Sequence, residues 1–187
     1  MLFEDCFSAQ VVEGVLAGRF AIGVCTLMRD EPELRCLQVL EAPLGLLVKP
    51  DRILPPTISN LKDLKGLPLI RYADDALITR ILRAHNIAFD AYFNSPIQGS
   101  NVPGSFPLVW EEDMIMLATG IGATQPPAKG LRFIPLPGLL PSVKVSLISR
   151  RSQVFDGPQQ IMLDLVKSSI LETKWHASVQ RLADVPL

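Results

Sequence analysis

Gly120-Ile121-Gly122 is the stretch of this sequence that most invites a chemical reading, because paired glycines can open a phosphate-binding loop. A dinucleotide fingerprint needs G-x-G-x-x-G between a strand and the start of a helix, so that backbone N–H groups at the helix N-terminus face the pyrophosphate. Here the third glycine position is Gln125, and the glycines come after an apolar run. Met114, Ile115, Leu117 and Ala118, behind Glu111, Glu112 and Asp113, predict a helix with its acids at the positive end of the macrodipole. Gly120 then reads as its C-terminal stop. The phosphate reading fails on direction and on spacing.

Other chemistry-bearing residues are few. His85 and His176 lie in no metal-ligand spacing, so a structural or exposed role suits both. Asp74-Asp75 could form a paired-carboxylate acid/base site, but adjacent carboxylates entering a helix more often serve its dipole, and the same holds for Glu111-Glu112-Asp113. Cys25 follows a buried run and could face a cleft. A nucleophilic cysteine needs a base and a thiolate-favouring site, so an apolar wall residue is the better reading. Neither a GxSxG elbow nor a P-loop occurs. The sequence supports no catalysis, and neither a metal nor a cofactor is expected.

The elements that must position these residues alternate. Ser8 is a candidate N-cap for a helix to about Ala17, with Val11, Val12, Val15 and Leu16 on one face and Gly18 as its end. Residues 19–24 predict a buried strand, and 34–48 one or two strands. Residues 61–72 give a short helical turn with Leu61 and Leu64 inward, then a strand ending near Tyr72. Residues 74–85 are amphipathic, with Asn86 as their stop. A strand is expected at 89–93, a long loop at 94–107, and strands near 131–135 and 142–148. A last helix opens at Asp156-Gly157-Pro158 and runs through Ile161, Leu165, Val166 and Ile170. This alternation predicts α/β with mostly parallel sheets.

Composition narrows the partners. With 48% hydrophobic residues the chain has a core to bury, and a net charge of −1 gives no counterion-release footprint for nucleic acid. Three cysteines without a CxxC pair suit a reduced, cytoplasmic setting. The N-terminus MLFEDCFSAQ lacks the basic region of a signal peptide, and no apolar run approaches a membrane span.

Three segments, in order, resemble the effector-binding domain of LysR-type transcriptional regulators. SAQVVEGVLAGRFAIGV resembles that family's helix–Gly–strand element, ISNLKDLKGLPLIRY its "L-x-D-L…P-L-I" element, and MLATGIGATQPP its "V-a-a-G-x-G-i-x-x-x-P" turn. With the return strand KVSLIS and the final helix, the likeness covers roughly residues 8–171. Departures are Ala21 where the family has Asp, Lys49-Pro50-Asp51 in place of His-Pro-Leu, and a longer 94–107 loop. The family's winged-helix DNA-binding domain and the effector domain's first strand and helix have no counterpart in these residues.

The resemblance implies a two-lobed, periplasmic-binding-protein-like (type 2) fold with two crossover strands: lobe I from 1–67 and 142–187, lobe II from 68–141. It implies a small-molecule effector in the interlobe cleft, a homodimer, and DNA contact only through a winged-helix domain outside these residues. Ligands of open α/β sheets sit beyond strand C-terminal ends, at helix N-termini. The expected contacts are Ser8, Cys25, Thr26, Arg71, Tyr72, Asp74, Trp110 and Glu111, and the expected ligand is a small molecule with at most one carboxylate. The competing readings are a solute-binding receptor of the same fold and an enzyme built on it.

Overall fold

The computed structural model describes residues 4–74, 76–93, 95, 97–99 and 102–182. Contacts divide the chain into two compact units. Unit 1 holds the residues up to Glu41, Lys144–Lys174 and those from Gln180 on; unit 2 holds Ala42–Val143 and Trp175–Val179. The chain therefore passes between units inside two long strands, β2 (Leu34–Val48) and β7 (Ser142–Arg150). Residues 42–67, expected with the first lobe, pack with unit 2: Leu44, Leu46, Leu47, Val48 and Leu64 share one core with Ile115.

In unit 1, helix α1 (Ser8–Leu16) forms where apolar residues recur at helical spacing, and it buries Val11 and Val15. Gly18, at φ 77, ends it in the left-handed region that glycine adopts freely. Residues 19–22 then lead into β1 (Gly23–Cys25), which is shorter than the expected 19–24 strand. Val11, Val15, Cys25, Leu34 and Ile148 make the unit's small core. β1 runs antiparallel to β7, with Val24 opposite Leu147, and β8 (Gln180–Arg181) runs antiparallel to β2. Helix α5 (Gly157–Glu172) starts as predicted, Asp156 Oδ1 accepting from the Gln159 N–H at 2.9 Å, with Pro158 in its first turn. Its expected apolar face is only partly used: Ile170 is buried, while Ile161 and Leu165 stay 63% and 58% exposed.

Unit 2 is built around the second half of β2. β5 (Met116–Thr119) and β6 (Arg132–Pro135) flank it, both antiparallel, with Leu46 opposite Leu117 and Ile134. Pairing on both edges and cover on both faces explain the unbroken buried run from Leu44 to Val48. β3 (Arg71–Tyr72) and β4 (Gln98–Gly99) pair in parallel, and Leu69 bridges Ile115 in parallel. Three helices serve these strands: α2 (Leu77–Ala84), α3 (Phe89–Tyr92) and α4 (Val102–Glu111).

Three expectations are corrected here. Ladders along β2 and β7 are antiparallel, because neighbouring strands return along these long strands; among the described residues parallel pairing joins β3 to β4 and appears otherwise as isolated bridges, Leu69 with Ile115 and Pro137 with Leu140. The segment expected as a strand at 89–93 is α3, which lets Phe89 and Phe93 meet at 4.8 Å between ring centroids. The helix expected over 114–118 is the strand β5, and the helix that precedes it, α4, starts inside the expected 94–107 loop and ends at Glu111. An apolar run of five suits either element by pattern alone; cover on both sides by β2 and its neighbours decided for strand.

Candidate functional site

In unit 1, α1 begins beside the end of β1. Ser8 is not the N-cap but the first helical residue; Phe7 stands at the cap, and its N–H donates to Gln10 Oε1 at 3.1 Å. The Ser8 hydroxyl oxygen instead accepts from the Thr26 N–H at 3.3 Å. That bond brings together two residues expected at the site and aligns a helix start with a strand C-terminal end, the arrangement that faces ligands in α/β proteins. Phe7 and Met28, which neighbour them in sequence, are exposed. Cys25 does not join them. It is buried in the core with Val11 and Val15, and burial, with Cys36 adding, pushes its thiol up to about 11. That is the inert, wall-forming cysteine of the sequence reading.

In unit 2, parallel β3, β4 and β5 all end on one side, at Tyr72, Gly99 and Thr119. Helices α2 and α4 start from that side. A Cβ on Gly99 would lie 2.7 Å from Ser105 Oγ, so glycine there lets the first turns of α4 close onto β4. Neither Ser105 nor this helix start was legible in a stretch read as loop.

Arg71 and Asp74 stand at the end of β3 and engage each other's neighbourhood. Arg71 Nη1 lies 2.8 Å from Asp90 Oδ1, its other nitrogen lies 3.8 Å from Asp74 Oδ1, and Arg83 reaches Asp74 at 3.3 Å. All four side chains are solvent-accessible, so these pairs are weak and exchangeable. Asp75, the other half of the expected carboxylate pair, lies outside the described residues. Tyr72 turns inward. Its side chain is buried, its hydroxyl donates to the Leu117 carbonyl at 3.2 Å, and burial raises its phenol far above the usual range against a hydrogen bond with Ser105. Only the Tyr72 backbone reaches the strand end.

Trp110 and Glu111 lie at the opposite edge. They close α4, whose C-terminus leads into the start of β5 rather than following a strand end. The Trp110 ring packs over Gly130, and its Nε1 donates to the Pro127 carbonyl at 3.4 Å. Their expected place at a helix start followed from expecting that helix over 114–118. Neighbouring Asp113 pairs with Arg52, whose guanidinium also donates to the Asp113 carbonyl at 2.9 Å.

The glycine pair has a structural use. Gly120 N–H donates to the Pro43 carbonyl at 3.3 Å and Gly122 N–H to Thr119 Oγ1 at 3.0 Å, so both amides are committed within the protein. A Cβ on Gly120 would stand 2.6 Å from Ser178 Oγ; glycine is needed there for close chain approach. His176 is held in the same place, its N–H donating to Thr124 Oγ1 at 2.9 Å and its ring edge-on to Phe133. Among the described residues no cluster of His, Cys, Asp and Glu could hold a metal, and no helix is long and apolar enough to cross a membrane.

Comparison with known proteins bears on the fold and the family. A search of curated proteins gives no match. Among solved structures, the regulatory domain of MetR, a LysR family regulator from N. meningitidis, is 15% identical with a TM-score of 0.68, covering 95% of this chain and 82% of that one. The effector-binding domain of QuiR, in complex with shikimate, is 14% identical with a TM-score of 0.62, covering 85% and 76%. The CcmR regulatory domain from Synechocystis, in complex with 2-PG, is 12% identical with a TM-score of 0.66, covering 90% and 80%. At such identities the likeness shows the fold, which is the expected periplasmic-binding-protein-like one. The family model for the LysR substrate binding domain matches residues 4–169, which leaves no room within these 187 residues for a DNA-binding domain. The chain belongs to the LysR substrate binding domain family, the effector-binding module of LysR-type transcriptional regulators.

Proposed function

We propose that the chain senses a small molecule bound between its two lobes, and that it neither binds DNA by itself nor catalyses a reaction. The observation that carries this reading is the Ser8–Thr26 contact, which sets hydroxyls and a helix start at the end of β1. Unit 2 supports it with three strand ends and two helix starts on one side. We take Ser8, Thr26, Arg71 and Asp74 as the ligand-facing set. Trp110, Glu111 and the side chains of Cys25 and Tyr72 are left out, for the positions given above.

Ligand charge follows from the groups at hand. Asp74 and Asp90 already neutralise Arg71 and Arg83, so a multiply charged anion would meet little net positive field. A ligand with one carboxylate and a largely neutral body fits, its carboxylate competing with Asp90 for the Arg71 guanidinium. The wider setting of the proposal is a cytoplasmic homodimeric regulator, with DNA contact made by a winged-helix domain outside these residues.

The test is a thermal-shift panel of singly charged carboxylic acids, shikimate included, and neutral polyols, followed by an assay for turnover of each hit. A saturable rise in Tm without turnover supports sensing. Turnover favours an enzyme, and a flat panel across both classes removes the reading.

A further inference from the structure

Unit 2 carries a hollow of about 640 Å³ between the 50–58 loop and β6. It lies at the other end of the sheet from the strand ends described above. β5 and β6 both run antiparallel to β2, so they point the same way. Arg132 opens β6 opposite Val48, level with the start of β5 rather than with its end at Thr119. Arg52 and Arg132 both line the hollow, but they are not equivalent. The Arg52 guanidinium pairs with the Asp113 carboxylate and donates to the Asp113 carbonyl at 2.9 Å. Arg132 donates one N–H to the Arg52 carbonyl at 2.6 Å, and among the described residues no carboxylate stands within ion-pair distance of it. A guanidinium carries several N–H donors in a planar fork, so Arg132 is tethered by one and keeps the rest for an acceptor.

The rest of the lining narrows the occupant. Leu54, Ile58 and Ile134 pack against the unit's core yet are only partly buried, which leaves an aliphatic wall beside Arg132. Pro50, Pro55 and Pro56 fix the backbone of the loop, so little freedom is lost when the hollow fills. Asp51 is exposed on the same lining. A neutral apolar molecule would cover Arg132 without giving it an acceptor. An inorganic anion would leave the aliphatic wall in water. A dianion gains little, because Asp113 already neutralises Arg52 and Asp51 opposes a second negative charge. A single carboxylate on a short apolar body meets all three conditions, with its oxygens on the Arg132 fork and its body on Leu54, Ile58 and Ile134. The volume falls within the range of small-molecule sites, about 300–1,000 Å³.

We propose that this hollow is a binding site for a small monocarboxylate with a short aliphatic body, separate from the residues taken above to face the effector. Arg132 binds the carboxylate, and Asp51 restricts the site to a single negative charge.

The test titrates hexanoate at millimolar concentration into the isotope-labelled 187-residue chain. The readouts are the Arg132 Nε–H signal and the backbone amides of Arg132, Phe133 and Ile134 by NMR. The proposal expects saturable shifts there, with affinity weakened at least about threefold by Arg132→Gln and partly restored in Arg132→Lys. Asp51→Asn should tighten binding, because it removes the opposing charge. Both positions are exposed, so the variants should fold, and the rest of the amide spectrum checks that they do. Hexanol, with the same body and no charge, should bind more weakly, and hexanedioate no more tightly than hexanoate. Absent shifts at 132–134 overturn the proposal, as does equal affinity for hexanol. So does affinity unchanged in both Arg132→Gln and Asp51→Asn, or tighter binding of hexanedioate. Shifts confined to Thr26 and Arg71 would place hexanoate with the effector instead, overturning the separate site while supporting the sensing reading.

Discussion

Replacing Ser8 with alanine removes one acceptor and tests whether the start of α1 is tied to the end of β1. The Ser8 oxygen lies 3.3 Å from the Thr26 nitrogen, and Thr26 is only 9% exposed. Losing the partner of a buried N–H costs about 1–3 kcal/mol, and a long, partly buried bond belongs at the lower end, about 1 kcal/mol. Alanine has the better helix propensity and returns up to about 0.5 kcal/mol. The net loss is then roughly 0.5–1 kcal/mol, which at about 2–4 °C per kcal/mol for a chain of this size lowers Tm by roughly 1–4 °C. Ser8→Thr retains a hydroxyl and should recover most of that loss. Differential scanning calorimetry gives the Tm, and amide exchange at Thr26 reports the local effect independently of how the two units unfold. An Ala variant with unchanged Tm and unchanged exchange at Thr26 would refute the reasoning, because the contact would then carry no energy.

Tyr72→Phe should lower stability by about 1–2 kcal/mol, since it breaks the buried link among Tyr72, Ser105 and the Leu117 carbonyl; affinity for any ligand found should stay within error, and a selective loss of affinity by calorimetry would return Tyr72 to the site. Gly45→Ala should be more damaging, because its Cβ would meet the Ile134 carbonyl oxygen at 2.3 Å and push β6 off β2; a loss of about 1–3 kcal/mol or more is expected in a denaturant titration. At neutral pH iodoacetamide should modify exposed Cys36 first and leave Cys25 intact in the folded chain. Because the folded Cys25 thiol titrates above its unfolded value, its contribution to stability is complete below the ordinary thiol pKa and declines as pH rises toward about 11. Cys25→Ala should remove that alkaline decline in a pH series of melts. Trp110→Ala should cost stability and leave ligand affinity unchanged, which calorimetry on the variant checks.

Much of the fold was legible where local signals and tertiary demands agree. α1 carries apolar residues at helical spacing and a glycine stop, α5 carries an Asp cap and a first-turn proline, and both helices form, with Phe7 rather than Ser8 capping α1. Asn86, expected as a helix stop, adopts φ 57. The failures cluster between Phe89 and Thr119. Pro103, Gly104 and Pro107 hid α4, although Val102, Phe106 and Val109 mark a helical stripe, because two prolines early in a helix read as loop punctuation. Met114–Ala118 was misread because five consecutive apolar residues have no period, and cover from neighbouring strands decides their state. Ser8 and Thr26 were singled out because each sits where an element ends. Their hydrogen bond spans 18 residues and is invisible in sequence. The inward turn of Tyr72 and the pairing of Arg71 with Asp90 depend on partners that only folding supplies.

The central claim, that this chain binds an effector at strand ends without transforming it, is tested most directly by titration calorimetry with the best hit of the thermal-shift panel. The wild-type chain, Ser8→Ala and Thr26→Val would be titrated under one set of conditions, with the ligand recovered and checked for change afterwards. The account predicts saturable one-site binding and unaltered ligand, with a negative ΔCp if its body is apolar. It predicts affinity weakened in each variant by about 0.5–1.5 kcal/mol, a hydrogen bond's worth. Altered ligand, or affinity unchanged in both variants, would contradict it.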